Sequence, residues 1–324
     1  MTDDALTYPA AENDFERFYK DHLLPVLPEV REACRQADSW GITGVVAFLV
    51  FFAGALLLFT GQSLGDISLW MCITGGCMLL VSIYYYSKRS DRFAAVLKSA
   101  IIKKILDHIY PGLLYQPEEG IEPKEYKLSG LYRYAYDYFD SDDLISGQLD
   151  GISFRCSEVH SSKIVESRRS SRDKTVFHGM FFVIQIGARF TGGTYVMPRH
   201  RGFDAYSALG HYYWLGPPPH AVEMSIAGGE FHRIFRVLST WPSQAVEILD
   251  AGMQASLLTI CRFTRLPVSF SFVAGNCYVA VPTGSDMLEP GAYDPGDKTE
   301  IKKYFISLQL IPSVIRQLNL QRLQ

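Results

Sequence analysis

No two of the six cysteines stand in a CxxC or any other paired spacing, which removes the usual signatures of a disulfide framework and of a structural zinc site. Strong charge of either sign is also missing. A net charge of −3 argues against nucleic acid as a general partner. Two motif matches fail on context. Gly61-Gln62-Ser63-Leu64-Gly65 fits GxSxG, but that chemistry needs the serine on a strand-to-helix turn beside a histidine, and here it joins two apolar runs. The segment from Gly187 to Thr194 has Walker-like glycine spacing, with Gly193 where the phosphate-binding lysine belongs and strands on both sides.

What is present is apolar. The runs ITGVVAFLVFFAGALLLFT and ISLWMCITGGCMLLVSIYYY carry no charge, and each is long enough for a helix to cross ~30 Å of hydrocarbon. They predict a transmembrane hairpin over 42–86, with helices at 42–60 and 67–86. Ser68, Cys72 and Gly76 recur every four positions and offer a face for close helix packing. Arg31 and Arg35 precede the hairpin; Lys88, Arg89, Arg92 and Lys98 follow it, and the connecting loop has neither Lys nor Arg. The positive-inside rule then places both termini in the cytoplasm, as a multi-pass protein of a bacterial inner membrane with the lipid bilayer as one partner.

Around the hairpin the chain divides further. Residues 1–41 hold a helical pattern (Phe15, Phe18, Tyr19, Leu23), and 87–111 form an amphipathic stalk helix with Phe93, Leu97, Ile101, Ile105 and Ile109 on one stripe. Residues 112–127 read as a linker, and 128–324 as a cytoplasmic domain. In that domain, alternating runs from Ile152, from Lys174 and across Gly275-Asn276 predict strands and a hairpin, followed by helices from Pro242 and from Lys298. Without regular βαβ alternation, the expected fold is a membrane-anchored α+β protein built on an antiparallel sheet.

Candidate sites are sparse. Cys156, Glu158 and His160 fall at i, i+2, i+4 on one strand face, with His178 on the next strand, so a metal site is geometrically allowed. Asp137, Asp140, Asp142 and Asp143 supply carboxylates without a visible cleft, and Asp142-Asp143 reads as a helix or turn cap. ESRRSSRDK looks like a basic, solvated hairpin tip. The aromatic insertion offers Phe203, Tyr206, Tyr212, Tyr213 and Trp214 as partner anchors.

The ordered series DDLISG, FRCSEV, VFHGMFF, RFTGGT, EFHRIFRVLS and VEIL resembles a bacterial family known as domain of unknown function 3137. The resemblance implies two membrane helices followed by one conserved domain, and no catalytic residues to carry over. It also implies a LemA-like membrane protein as neighbour, hence an envelope-associated assembly. Thr240-Trp241 and Val246 stand where the family usually has acidic residues and an arginine. With no convergent polar set and no cofactor motif, the sequence favours a non-catalytic interaction module. The alternative is a membrane-bound enzyme acting on a lipid or small molecule. Clustering of the Cys156–His160 face or the Asp137–Asp143 side chains in a pocket would favour the enzyme; burial of Cys156 among apolar neighbours would favour the binder.

Overall fold

The alternation from Ile152 onward becomes a long antiparallel ladder in the computed structural model. It describes residues 9–25, 28, 44–53, 55–56, 70, 72–82, 84, 101–132, 136–167, 170–187, 191–199, 220–226, 229–288 and 298–318. Nine strands form one sheet: β1 (Leu114–Gln116), β2 (Tyr138–Leu149), β3 (Ile152–Ser167), β4 (Ser170–Gln185), β5 (Thr194–Pro198), β6 (Val222–Met224), β7 (Phe235–Ser239), β8 (Ser269–Val273) and β9 (Asn276–Val281). Their order is β1-β2-β3-β4-β9-β8-β5-β7-β6, and every pairing is antiparallel. The expected antiparallel α+β domain is therefore present.

The chain divides into two compact units. One comprises Met1–Ala11, Ile105–Leu288 and Tyr304–Gln324, and the other Glu12–Lys104 and Glu289–Lys303. In the sheet-bearing unit, one core gathers Phe177, Phe181 and Val183 of β4 with Tyr278 and Ala280 of β9, Tyr195 and Met197 of β5, and Leu238 of β7. Tyr126, on the short helix Pro123–Leu128, closes over it. Its ring lies 5.1 Å from that of Phe181, 5.2 Å from Phe139 and 5.4 Å from Tyr132, and its hydroxyl is 2.9 Å from Ser161 Oγ. Residues 112–127 thus supply an edge strand paired with β2 and the helix that carries this lid. The alternate side chains of β4, Phe182 and Ile184, are buried as well, so the sheet centre is covered on both faces.

Helix boundaries follow local chemistry. Asp250 accepts a hydrogen bond from Met253 N at 2.7 Å and caps a new helix, Ala251–Thr264, so the single helix expected from Pro242 is two, the first being Pro242–Ile248. Close to Pro312, the C-terminal helical region divides into Lys298–Leu308 and Leu310–Leu318.

In the other unit, the helix Pro9–Phe18 buries Phe15 and Phe18 and runs on as a π-turn, Tyr19–Leu23, that buries Leu23. Two apolar helical segments pack antiparallel, at 44–53 and 72–82. A Cβ at Gly75 would stand 2.7 Å from Phe51 N, and one at Gly44 would stand 3.0 Å from Ser82 Oγ, so these two glycines set the close approach; of the expected face, Gly76 leaves ordinary room beside Phe51 Cδ2 (3.6 Å), and Ser68 lies outside the described residues. Phe48, Phe52, Ile73 and Leu80 point outward from this pair. The expectation of a transmembrane hairpin is corrected here. Among the described residues no helix is long and apolar enough to cross a membrane. The membrane-anchored fold class, the transmembrane assignment of 42–60 and 67–86, and the multi-pass inner-membrane placement with both termini cytoplasmic are not supported.

Replacing Tyr126 tests the lid. Tyr126→Ala is expected to cost about 3–5 kcal/mol of unfolding free energy, and Tyr126→Phe about 1 kcal/mol, in denaturant titrations.

Candidate functional site

The alternation of β3 puts Cys156, Glu158 and His160 on one face, but in a row rather than a cluster. At ~3.3 Å rise per residue, neighbours in the row stand ~6.6 Å apart along the strand, too far for the three to share one ion. Each instead meets its cross-strand partners. Cys156 lies between Ile145 and Phe182, Glu158 between Asp142 and Met180, and His160 between Asp140 and His178.

The consequences differ along the row. Cys156 is fully buried, and burial raises its thiol far above the usual range, so it is a poor nucleophile and a poor ligand. Burial acts the same way on Cys277 and pushes Cys261 up to about 12. His160 stacks on His178 with ring centroids 4.4 Å apart, and burial together with that neighbour lowers its pKa. His178 Nε2 in turn lies 2.7 Å from Asp286 Oδ1.

Glu158 is where acidic groups converge. The β2–β3 register passes from Asp142↔Glu158 to Ile145↔Cys156, so Asp143 and Leu144 bulge out of β2 against one residue of β3. Asp143 takes a left-handed backbone (φ 55), held by its N–H donating to Pro117 O (3.1 Å) and by Leu144 N–H donating to Glu119 O (2.9 Å). The bulge returns Asp143 to the neighbourhood of Asp142. One carboxylate oxygen from each of Asp142, Asp143 and Glu158 lies within 4.8 Å of the others. Tyr115 of β1 donates its hydroxyl to Asp143 Oδ1 at 2.7 Å, and Met287 and Leu288 donate their N–H groups to Glu158 Oε1 at 2.6 and 3.0 Å. Burial first, and then the charges of Asp143, Asp286 and Asp142, raise Glu158 to about 8 against the N–H bond from Met287.

The structure thus takes Glu158 out of the expected Cys156–Glu158–His160–His178 set and joins it to Asp142 and Asp143. Those two aspartates lie within β2, at a bulge, rather than capping a helix or turn. The glycines of RFTGGT make no phosphate cradle. Gly193 N–H donates to Thr240 Oγ1 at 2.8 Å, and a Cβ there would meet Tyr195 Oη at 2.2 Å. The aromatic anchors Phe203, Tyr206, Tyr212, Tyr213 and Trp214 lie outside the described residues.

Fold and site together define an antiparallel α+β domain whose polar centre is a buried carboxylate cluster. Residues 175–320 match a family described as "Protein of unknown function (DUF3137)", in line with the expected family. The match takes in VFHGMFF, RFTGGT, EFHRIFRVLS and VEIL, while DDLISG and FRCSEV lie before it. The two membrane helices of the family layout are not shown. No curated protein matches the chain. The crystal structure of the mycobacterial trehalose monomycolate transport factor A, TtfA, aligns at 12% identity, covering 69% of this chain and 96% of that one. Its TM-score of 0.31 is too low for that likeness to carry an argument.

Two measurements check the site. The folded protein binds the Glu158 proton more tightly than the unfolded chain. Stability from this group is therefore fully present below pH 4.5 and is lost as pH rises through about 8. Urea titrations across that window should show a fall on the order of a few kcal/mol, which Glu158→Gln abolishes. Separately, Cys156, Cys261 and Cys277 should resist alkylation by iodoacetamide in the folded protein and react once it is unfolded in urea.

Proposed function

We propose that the sheet domain is a non-catalytic interaction module that docks an acidic segment of a protein partner on the arm formed by β3 and β4. Two features support this reading. The thiols that an enzyme of this design would use are sealed in apolar surroundings. The two strands also run past their neighbours.

Pairing of β2 with β3 ends at Ser162, and pairing of β9 with β4 begins only at Met180. Between those limits, β3 and β4 pair with each other from Ser162↔Thr175 to Ser167↔Ser170, and among the described residues no third strand joins them. The β4 edge of the arm therefore carries strand backbone available for pairing, while on the β3 edge the Ile164 N–H already donates to Asp137 Oδ2 at 2.8 Å. The arm is basic in sequence: Lys163, Arg168, Arg169, Arg172 and Lys174 outnumber Glu166 and Asp173. Like charge disfavours edge pairing between two copies of this chain and favours an acidic occupant. The family resemblance makes a LemA-like protein the first candidate.

The test is titration calorimetry of the intact protein with a LemA-like protein, comparing wild type with Lys163→Glu/Arg172→Glu/Lys174→Glu. Binding by wild type that weakens with added salt and drops at least tenfold in the variant supports the arm. Equal binding by both proteins, or none by wild type, defeats it.

A further inference from the structure

We propose that Asp142, Asp143 and Glu158 form a binding site for a hard divalent cation of calcium size. The inference is independent of the partner-docking reading, since it concerns the middle of the β2–β3 ladder, where Asp142 faces Glu158, and needs no second protein.

The geometry is that of an oxygen cage. Among three oxygens no more than 4.8 Å apart, some point lies within about 2.8 Å of all three, close to the 2.3–2.6 Å at which calcium takes carboxylate ligands. A bulge, and not strand alternation, supplies the third oxygen. Asp143 is fully buried, is turned by its left-handed backbone, and is fixed by Tyr115 and Pro117, so its placement does not depend on a ligand to organise it. Asp142, only half-buried, leaves one side of the cage open for waters to complete the coordination.

A second observation points to a ligand. Glu158 is 97% buried (3% exposed), and its Oε1 accepts both N–H groups of Met287 and Leu288, yet its Oε2 is buried with no hydrogen-bond partner among the described residues. An oxygen left so costs ~1–3 kcal/mol unless something positive meets it. The charged groups that bear on Glu158 itself are Asp143, Asp286 and Asp142, all acidic. The donor set decides the kind of ion. It is all oxygen and anionic; the nearest thiol in the row, Cys156, lies two residues along the strand, which disfavours zinc. Magnesium demands tighter, near-octahedral geometry at 2.0–2.1 Å and keeps most of its waters, whereas calcium accepts an irregular set of carboxylates fixed by the strands that carry them.

Bound there, the ion would join β1 through Tyr115 and Asp143, β2 and β3 through their carboxylates, and the segment after β9 through Glu158. It would act as a structural rivet. The experiment uses the full-length protein stripped with EDTA and dialysed. Its melting temperature is followed as CaCl2 is raised to about 10 mM, with MgCl2 and ZnCl2 as comparisons and calorimetry to count sites.

Wild type should show a saturable rise in melting temperature with calcium and a single calorimetric site, with weaker effects of the other two ions. Asp142→Asn, the half-exposed member and the safest to fold, should need at least tenfold more calcium for the same shift, and Glu158→Gln should behave likewise. No calcium effect on wild type would mean that protons alone neutralise the carboxyls, and would overturn the proposal. So would an undiminished shift in both variants, or a shift produced by zinc or magnesium in preference to calcium.

Discussion

The sheet-bearing unit depends on the second half of β4 being buried on both faces. From Val176 to Ile184 its side chains alternate between two interiors, Phe177, Phe181 and Val183 on one side, Phe182 and Ile184 on the other. A strand in that position must have its backbone fully paired, because no water can reach it. β3 supplies one ladder and β9 the other. Gly179 marks the closest approach: a Cβ there would stand 2.2 Å from Val281 O, where β9 ends. The first half of β4 is freed from this constraint, which is why it can extend as an arm.

Much of this architecture is legible in the residues. β3 announces itself because apolar and polar side chains alternate along it, and β4 because its second half is a long β-branched and aromatic run. The β8–β9 hairpin is equally plain, with its turn one residue earlier than the glycine–asparagine pair indicates. Ala274 and Gly275 both take positive φ, as a two-residue turn between right-twisted strands requires, and Asn276 already pairs with Val273. The small helix that carries Tyr126 is hidden inside a stretch rich in Pro and Glu, because what orders it is a tertiary contact of one ring. Hydropathy over 42–86 tells which residues avoid water and how closely the two segments pack. It does not by itself fix helix bounds, and among the described residues no helix is long and apolar enough to cross a membrane.

The candidate site was only partly legible, for a physical reason. Period-two alternation correctly puts Cys156, Glu158 and His160 on one face, yet residues of one face form a line, and a ligand needs a cluster. Convergence comes from the neighbouring strand, through the shift that brings Asp143 beside Asp142. Nothing local to DDL specifies that shift. It depends on Pro117 and Glu119, more than twenty residues earlier, accepting the N–H groups of Asp143 and Leu144.

The order of strands has a consequence in time. β1 to β4 are neighbours in sequence and in space, so they can pair as they leave the ribosome. The strand that completes β4 is β9, and Gln185 waits for Asn276, about ninety residues later. Until then the nascent chain presents one of its most apolar strands, VFHGMFFVIQI, with one edge open. Chain closure over that distance is entropically slow, so a strand built for burial on both faces has a prolonged unprotected interval during synthesis. For this protein the vulnerable species is therefore a half-made one. Translation speed between β4 and β9, or a chaperone that shields that edge, would govern its yield more than the stability of the finished sheet.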